Sequence, residues 1–559
     1  MSRQRRFGPA VLLVLGLHLT LIALVLILLD VVSASEQAGP SPPKLLVVLV
    51  VDQMRADYVE TYGRQWTAGL RKLFDDGAWF KEAAYPYRST LTCTGHATIA
   101  TGRFPSAHGM IQNSWWDRST AQNTTCTTDD SAIPISYGGP ARERHSARNL
   151  RQPTIADVLR QQSGGESTVV SMSLKPRSAI ALAGQHAESV VWLDEAHTWA
   201  TSTAFTDTPV SAVSRYVDQH PIEADADRVW TRVLPVDRYR HDDDGDGERP
   251  TPGWTRTFPH ALDVGSGTDV SFFTRWSASP FSDAYLTDMA IAMVDAFEIG
   301  SGEATDYLAI GLSALDLVGH QFGPDSHEVQ DVLAQLDITV GHLLDALDAR
   351  LGPDGYVVAL SADHGVAPIQ ESLITQNVDA GRFPSAELLT VLESHLSDRL
   401  GRVRSISALV NFDLYFEPGV YSALRGAPNE LESVLNLIRA SPGVAQVYRS
   451  DELETRAEAG DTVANAARLS YFEGRSGDLI IVPKPYWVPG GSAATHGSPY
   501  DYDTKVPVVF FGAGIKPGTH MTAASPVDVA PTLATLAGFS MPETDGRILT
   551  EALASTTHD

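Results

Sequence analysis

The segment KLLVVLVV, residues 44–51, ends in Asp52 and most restricts how this chain can fold. An uninterrupted apolar run rich in Val has no polar side to show to water. It suits a parallel strand covered on both faces. Similar runs recur at 167–173, 189–193, 306–312, 356–361 and 506–512. Between them lie helical stretches such as 283–297 and 327–351. Strands alternating with helices predict an α/β fold whose largely parallel sheet carries helices on both faces. With 559 residues the chain can build a large core and one or two domains. Residues 380–475 read as a separate, smaller α/β lobe, with helices near 386–400 and 429–440, inserted into a body formed by 44–379 and 476–559.

In an open α/β sheet the groups that act on ligands gather beyond the carboxyl ends of the strands. Asp52 ends the first strand, and Lys175 and Arg177 follow the run at 167–173. Asp316 follows 306–312, while Asp363 and His364 follow 356–361. All are expected to face one crevice. Asp316 and His320 stand four apart, which on a helix puts both on one face. His496 lies in a Gly-containing loop ahead of the last of these strands. Imidazole and carboxylate without thiolate suit zinc, and there are enough of them for two sites. Two such ions about 3.5–4 Å apart can clamp the attacking and leaving oxygens of an in-line displacement.

A metal pair of this kind would also activate a hydroxyl. The stretch RSTLTCTGHATIATG, residues 88–102, offers Ser89, Thr90, Thr92, Cys93 and Thr94. Nothing in that stretch alone selects among them.

The rest of the chain narrows the setting. Forty-two basic residues against 68 acidic ones give a net charge of -26, which argues against nucleic-acid binding and for solubility. RQRR at 3–6, an apolar run from Ala10 to Leu29 and small residues at Ser33, Ala34 and Ser35 form an export address over residues 1–35, followed by a linker at 36–43. The address is either a cleaved signal or a retained membrane anchor, and both place the body in the periplasm or outside the cell. Cys93 and Cys126 are the two cysteines, and in an exported chain they pair as a disulfide or stay as separately buried thiols. HDDDGDGERP at 241–250 begins like a calcium loop, with Asp242, Asp244 and Asp246, but has Gly253 where the closing Glu belongs. Trp115, Trp116, Trp192 and Trp276 either line a substrate entrance or fill the core. His108 is expected to be a structural histidine.

VVDQMRADY, TLTCTGHATIATGRFPSAHG, IQNSWWD, SLKPRSAI, ALDLVGHQFGP, SADHGV and THGSPYDYDTKVPVVFFG occur in an order that resembles the alkaline phosphatase superfamily. The resemblance runs from about residue 44 to SPVDVAPTLATLAGF at 525–539 and is strongest to the PafA-type, threonine-nucleophile phosphomonoesterases, near relatives of nucleotide pyrophosphatase/phosphodiesterases. It implies two zinc ions, one held by Asp52, Asp363, His364 and the Thr92 oxygen, the other by Asp316, His320 and His496. It implies Thr92 as nucleophile, four residues before His96, with the Cys93 N–H and Asn113 donating to the phosphoryl group. Lys175 and Arg177 match the Lys-x-Arg pair of the PafA type. The charges agree with a monoester. Two divalent cations, three Asp carboxylates and these two side chains sum to three positive charges, the complement of a phosphomonoester dianion plus an alkoxide.

The reaction so implied is hydrolysis of small phosphorylated metabolites through a phosphothreonine. A phosphodiesterase on the same scaffold is the alternative enzyme, and an inactive metal- or phosphate-binding protein the non-enzymatic one. No C-x-P-x-R element surrounds residue 92 or 93, so a sulfatase is disfavoured.

Overall fold

A computed structural model describes residues 42–265, 267–454 and 460–554. The expected export address and most of the linker lie outside the described residues. Among those described, no helix is long and apolar enough to cross a membrane.

Ten strands form the main sheet. In chain order they are β1 (Leu45–Val51), β2 (Ala78–Phe80), β3 (Pro134–Ser136), β4 (Val169–Ser173), β5 (Ser189–Leu193), β6 (Trp199–Ser202), β7 (Asp306–Leu312), β8 (Tyr356–Ser361), β13 (Val508–Gly512) and β14 (Gly518–His520). The numbers between belong to a smaller sheet of β9 (Ile406–Val410), β10 (Asp413–Phe416), β11 (Val444–Arg449) and β12 (Leu479–Pro483). The main sheet runs β14-β2-β13-β8-β1-β7-β4-β5-β6-β3. Its centre, β8-β1-β7-β4-β5, is parallel throughout. The edges depart from that: β13 pairs antiparallel with β8, as do β6 with β5 and β3 with β6.

The apolar run at β1 explains the layering. Leu45, Val47, Leu49 and Val51 enter one core, and Leu46, Val48 and Val50 the other. The first core is covered by α3 (Pro280–Ala296) and α5 (His327–Leu351). The second is covered by α1 (Thr92–Thr101), α2 (Pro176–Ala183) and the helix at Val529–Leu536. α4 (Ala314–Phe322) follows β7 directly.

The smaller sheet carries α6 (Ser385–Leu400) and α7 (Pro428–Ala440) on a core of its own. Its fourth strand, β12, lies beyond residue 475, where the sequence pattern had suggested the lobe ends. The lobe reaches the body through a buried ion pair, Arg88 Nη2 to Asp413 Oδ1 at 2.6 Å. Arg88 opens the segment that leads into α1, so the lobe steadies the polar stretch from its outer side.

Candidate active site

α1 begins at Thr92 and all ten of its residues are buried. A helix of that sequence has no amphipathic face, and burial follows from its place against α2, the turn at Pro526–Asp528, the helix at Val529–Leu536 and, through Gly95, the loop after β8. Gly95 makes that place possible: a Cβ there would lie 2.2 Å from the Asp363 carbonyl oxygen.

The N-terminus of α1 therefore sits against Asp363 and His364. Around His364 Nε2 stand Asp363 Oδ2 at 3.2 Å, Asp52 Oδ1 at 3.4 Å and Thr92 Oγ1 at 3.4 Å. Beside them, Asp316 Oδ1 is 3.3 Å from His320 Nε2 and 3.7 Å from His496 Nε2. Asp316, His320 and His496 form one group whose ligand atoms lie within 4.8 Å of one another, and Asp316 forms a second such group with Asp52 and His364. The two sets adjoin.

The donor atoms suit a metal. Tetrahedral zinc with arms of about 2.0–2.1 Å sets neighbouring ligand atoms about 3.3–3.4 Å apart, the spacing seen around His364. Asp52 Oδ1 and Asp363 Oδ2 are buried and have no hydrogen-bond partner. Each imidazole is held through Nδ1 by a carbonyl: His364 by Gly365, His320 by Ala494 and His496 by Thr90, at 2.9, 2.8 and 2.8 Å. That contact fixes the tautomer and leaves Nε2 as a lone pair facing the centre. Burial, helped by the neighbouring histidines, also keeps His496 well below the usual imidazole range.

Of the two cations, Lys175 is buried among the carboxylates. Lys175 Nζ lies 2.5 Å from Asp52 Oδ2 and also meets Asp316 Oδ2, bridging the two sets rather than facing the crevice alone. Burial pushes Asp52 well up. At Asp316 burial acts the same way, but Lys175 and His320 outweigh it and hold that carboxyl well down. Arg177, in the first turn of α2, has a buried Nε without a partner. Asn113 Oδ1 accepts the Cys93 N–H at 2.8 Å, so that donor is already engaged by the side chain expected to work beside it.

Cys93 and Cys126 form a disulfide, and the Cys126 N–H donates to the Asn113 carbonyl at 3.0 Å. The bridge thus ties the residue after Thr92 to the residue whose N–H holds the Asn113 carbonyl. It closes a 33-residue separation, which in the chain-entropy account contributes about 3–4 kcal/mol. Replacing both cysteines by serine should lower the unfolding free energy by that amount in a urea titration of the oxidised protein and the variant.

Other expectations resolve differently. Asp242, Asp244 and Asp246 are exposed, and Asp244 pairs with Arg256 at 2.7 Å. The calcium loop is not assembled. Without a carboxylate at 253 nothing closes it, and the acids that turn inward are Asp243 and Glu248. His108 is a core residue bonded to Thr98 Oγ1 and the Met110 N–H, and burial lowers it to about 3. Trp115, Trp192 and Trp276 are buried in the core, and Trp116 is half-buried.

Two supporting carboxylates escaped the sequence reading. Asp283 on α3 accepts the Ser313 and Ala314 N–H groups at the start of α4, at 2.9 and 3.2 Å. Asp503 accepts the Gly497 and Ser498 N–H groups just after His496, at 3.0 and 2.8 Å. Burial raises each to about 7. Only the DYDT pattern after His496 hinted at the second, and nothing local hinted at the first.

A hydroxyl at a buried helix start, set against paired Asp/His groups at the carboxyl ends of parallel strands, defines a hydrolase of the alkaline phosphatase superfamily, PafA type. Residues 46–505 match type I phosphodiesterase / nucleotide pyrophosphatase, and the chain belongs to that family. It is 28% identical to alkaline phosphatase PafA of Elizabethkingia meningoseptica, over 95% of this chain and 98% of that one. It is 32% identical to alkaline phosphatase PhoK of a Sphingomonas species, over 92% of each. The crystal structure of wild-type PafA superposes with a TM-score of 0.84 at 29% identity, covering 93% of this chain and all of that one.

Proposed function

We propose that this protein is an exported, zinc-dependent alkaline phosphatase that hydrolyses small phosphate monoesters through a phosphothreonine at Thr92. The observation that carries this reading is the convergence of Thr92 Oγ1, Asp52 Oδ1 and Asp363 Oδ2 on His364 Nε2, all within 3.4 Å. Asp52, Asp363, His364 and Thr92 would hold one zinc, and Asp316, His320 and His496 the other. Such ions supply Lewis acidity, lowering the pKa of the Thr92 hydroxyl and stabilising charge on a departing oxygen.

The chain's own residues do the rest. Thr92 Oγ1, fixed at the first turn of α1, attacks phosphorus in line. Its bond to phosphorus forms as the ester bond opposite breaks, and the alcohol leaves with one proton. Water then attacks the phosphothreonine from the vacated side, so that phosphate departs and the Thr92 hydroxyl is restored. The Cys93 N–H leaves Asn113 Oδ1 for a non-bridging phosphoryl oxygen, and Asn113 donates to the same group through its Nδ2. The long arm of Lys175 lets its ammonium turn from the carboxylates toward the same group, where it joins Arg177.

Two cations beyond the metals favour a dianionic terminal phosphoryl group. A phosphodiesterase, suggested by the family's name, is the second reading. Steady-state kcat/KM for a monoester and a diester separates them. The wild type should prefer the monoester, and Arg177→Ala should lose about 10²–10³-fold on the monoester but far less on the diester. A wild-type preference for the diester would remove the proposal.

A further inference from the structure

Gln53 is buried, and its backbone has φ of 72°, the left-handed region that a non-glycine residue adopts at a cost. Two bonds occupy it. Its backbone N–H donates to Asp363 Oδ1 at 3.1 Å, and its side-chain Nε2 donates to Asp316 Oδ1 at 2.7 Å. One residue therefore holds a carboxylate from each of the adjoining sets.

The choice of oxygens matters. With Oδ1 of Asp363 taken by the Gln53 and His364 N–H groups, Oδ2 is the oxygen turned to His364 Nε2. At Asp316 the amide grips the oxygen that faces both His320 and His496, which limits rotation of that carboxylate. The amide itself is seated by α4: a Cβ at Gly319 would lie 1.9 Å from Gln53 Oε1. Glycine at 53 would take the same backbone without strain but could not reach Asp316. Glycine at 319 weakens a helix, yet it leaves room for the amide.

We infer that Gln53, seated on Gly319, is a positioning residue that fixes the spacing and affinity of the two metal sets. Strain at 53 is retained because the backbone N–H that holds Asp363 is joined there to a side-chain amide that reaches Asp316, which glycine lacks. The inference rests on reading those groups as zinc sets.

The test is zinc affinity and stoichiometry by chelator competition, together with thermal unfolding of the metal-free protein. Gln53→Gly should keep or raise the metal-free Tm, because strain is relieved, while weakening zinc binding 10–100-fold. Gly319→Ala should also weaken zinc despite its better helix propensity, and that loss should vanish when combined with Gln53→Gly. Wild-type zinc affinity in Gln53→Gly overturns the inference. So does a weakening that only tracks a lower metal-free Tm, or Gly319→Ala acting alike in both backgrounds. A wild type that binds no zinc would instead overturn the reading of the sets themselves.

Discussion

Thr92→Ala should reduce monoester turnover by about 10⁴-fold or more, the scale seen when a covalent nucleophile is removed. The variant keeps every carboxylate and imidazole of both sets, so metal content and inorganic phosphate affinity should change little. Acid quenching during turnover of a phosphorus-labelled monoester should leave label on Thr92 in the wild type and none in the variant. Ser89, Thr90 and Thr94 serve as controls. Thr90 Oγ1 already donates to the Ser498 carbonyl at 2.9 Å, and Thr94 lies two residues further along α1. Label on any of these, or equal rates for wild type and Thr92→Ala, would displace Thr92 from the mechanism.

Stripping metal should abolish turnover and lower stability together. Asp52, Asp316 and Asp363 are buried carboxylates; Asp52 and Asp316 share one ammonium, Lys175, while Asp363 has the His96 and His364 rings beside it. Bringing like charges into a dry interior is costly unless cations balance them. Zinc at a thousandfold excess over its Kd would add about 4 kcal/mol per occupied site. Chelated protein should accordingly melt lower, and zinc should restore both Tm and turnover at two ions per chain. Magnesium should restore neither fully, because three imidazoles suit zinc better than a hard, oxygen-seeking ion. Full activity after exhaustive chelation would refute the metal reading.

Much of the fold was legible because parallel strands buried on both faces leave a strong local mark. The runs at 189–193, 306–312 and 356–361 are strands with those bounds, and the remaining runs differ only at their first residues. The direction of β13 was not legible, since an apolar run reads the same whether its partner lies parallel or antiparallel. The edge of the smaller lobe was missed for a similar reason. β12 is local to the body in sequence but pairs with β10 and β11 across the insertion.

At the site, residue types at strand ends make Asp52, Lys175, Arg177, Asp316, Asp363 and His364 candidates from local pattern alone. The calcium-like stretch shows the limit of that reasoning. Three acids at the right spacing remain solvated when the closing ligand is missing, and spacing does not say which side chains turn inward.

By itself, the sequence determined the chemistry on offer: a parallel α/β sheet, carboxylates and imidazoles at its strand ends, a hydroxyl-rich helix start and two nearby cations. These depend on local pattern and chain order. Tertiary structure decided which oxygen of Asp363 turns to His364 Nε2, which tautomer each histidine keeps, that Cys93 meets Cys126, and that Gln53 spans both sets from a strained backbone. Those facts arise between residues as many as 406 positions apart, as between His496 and Thr90, where only packing sets distance and direction.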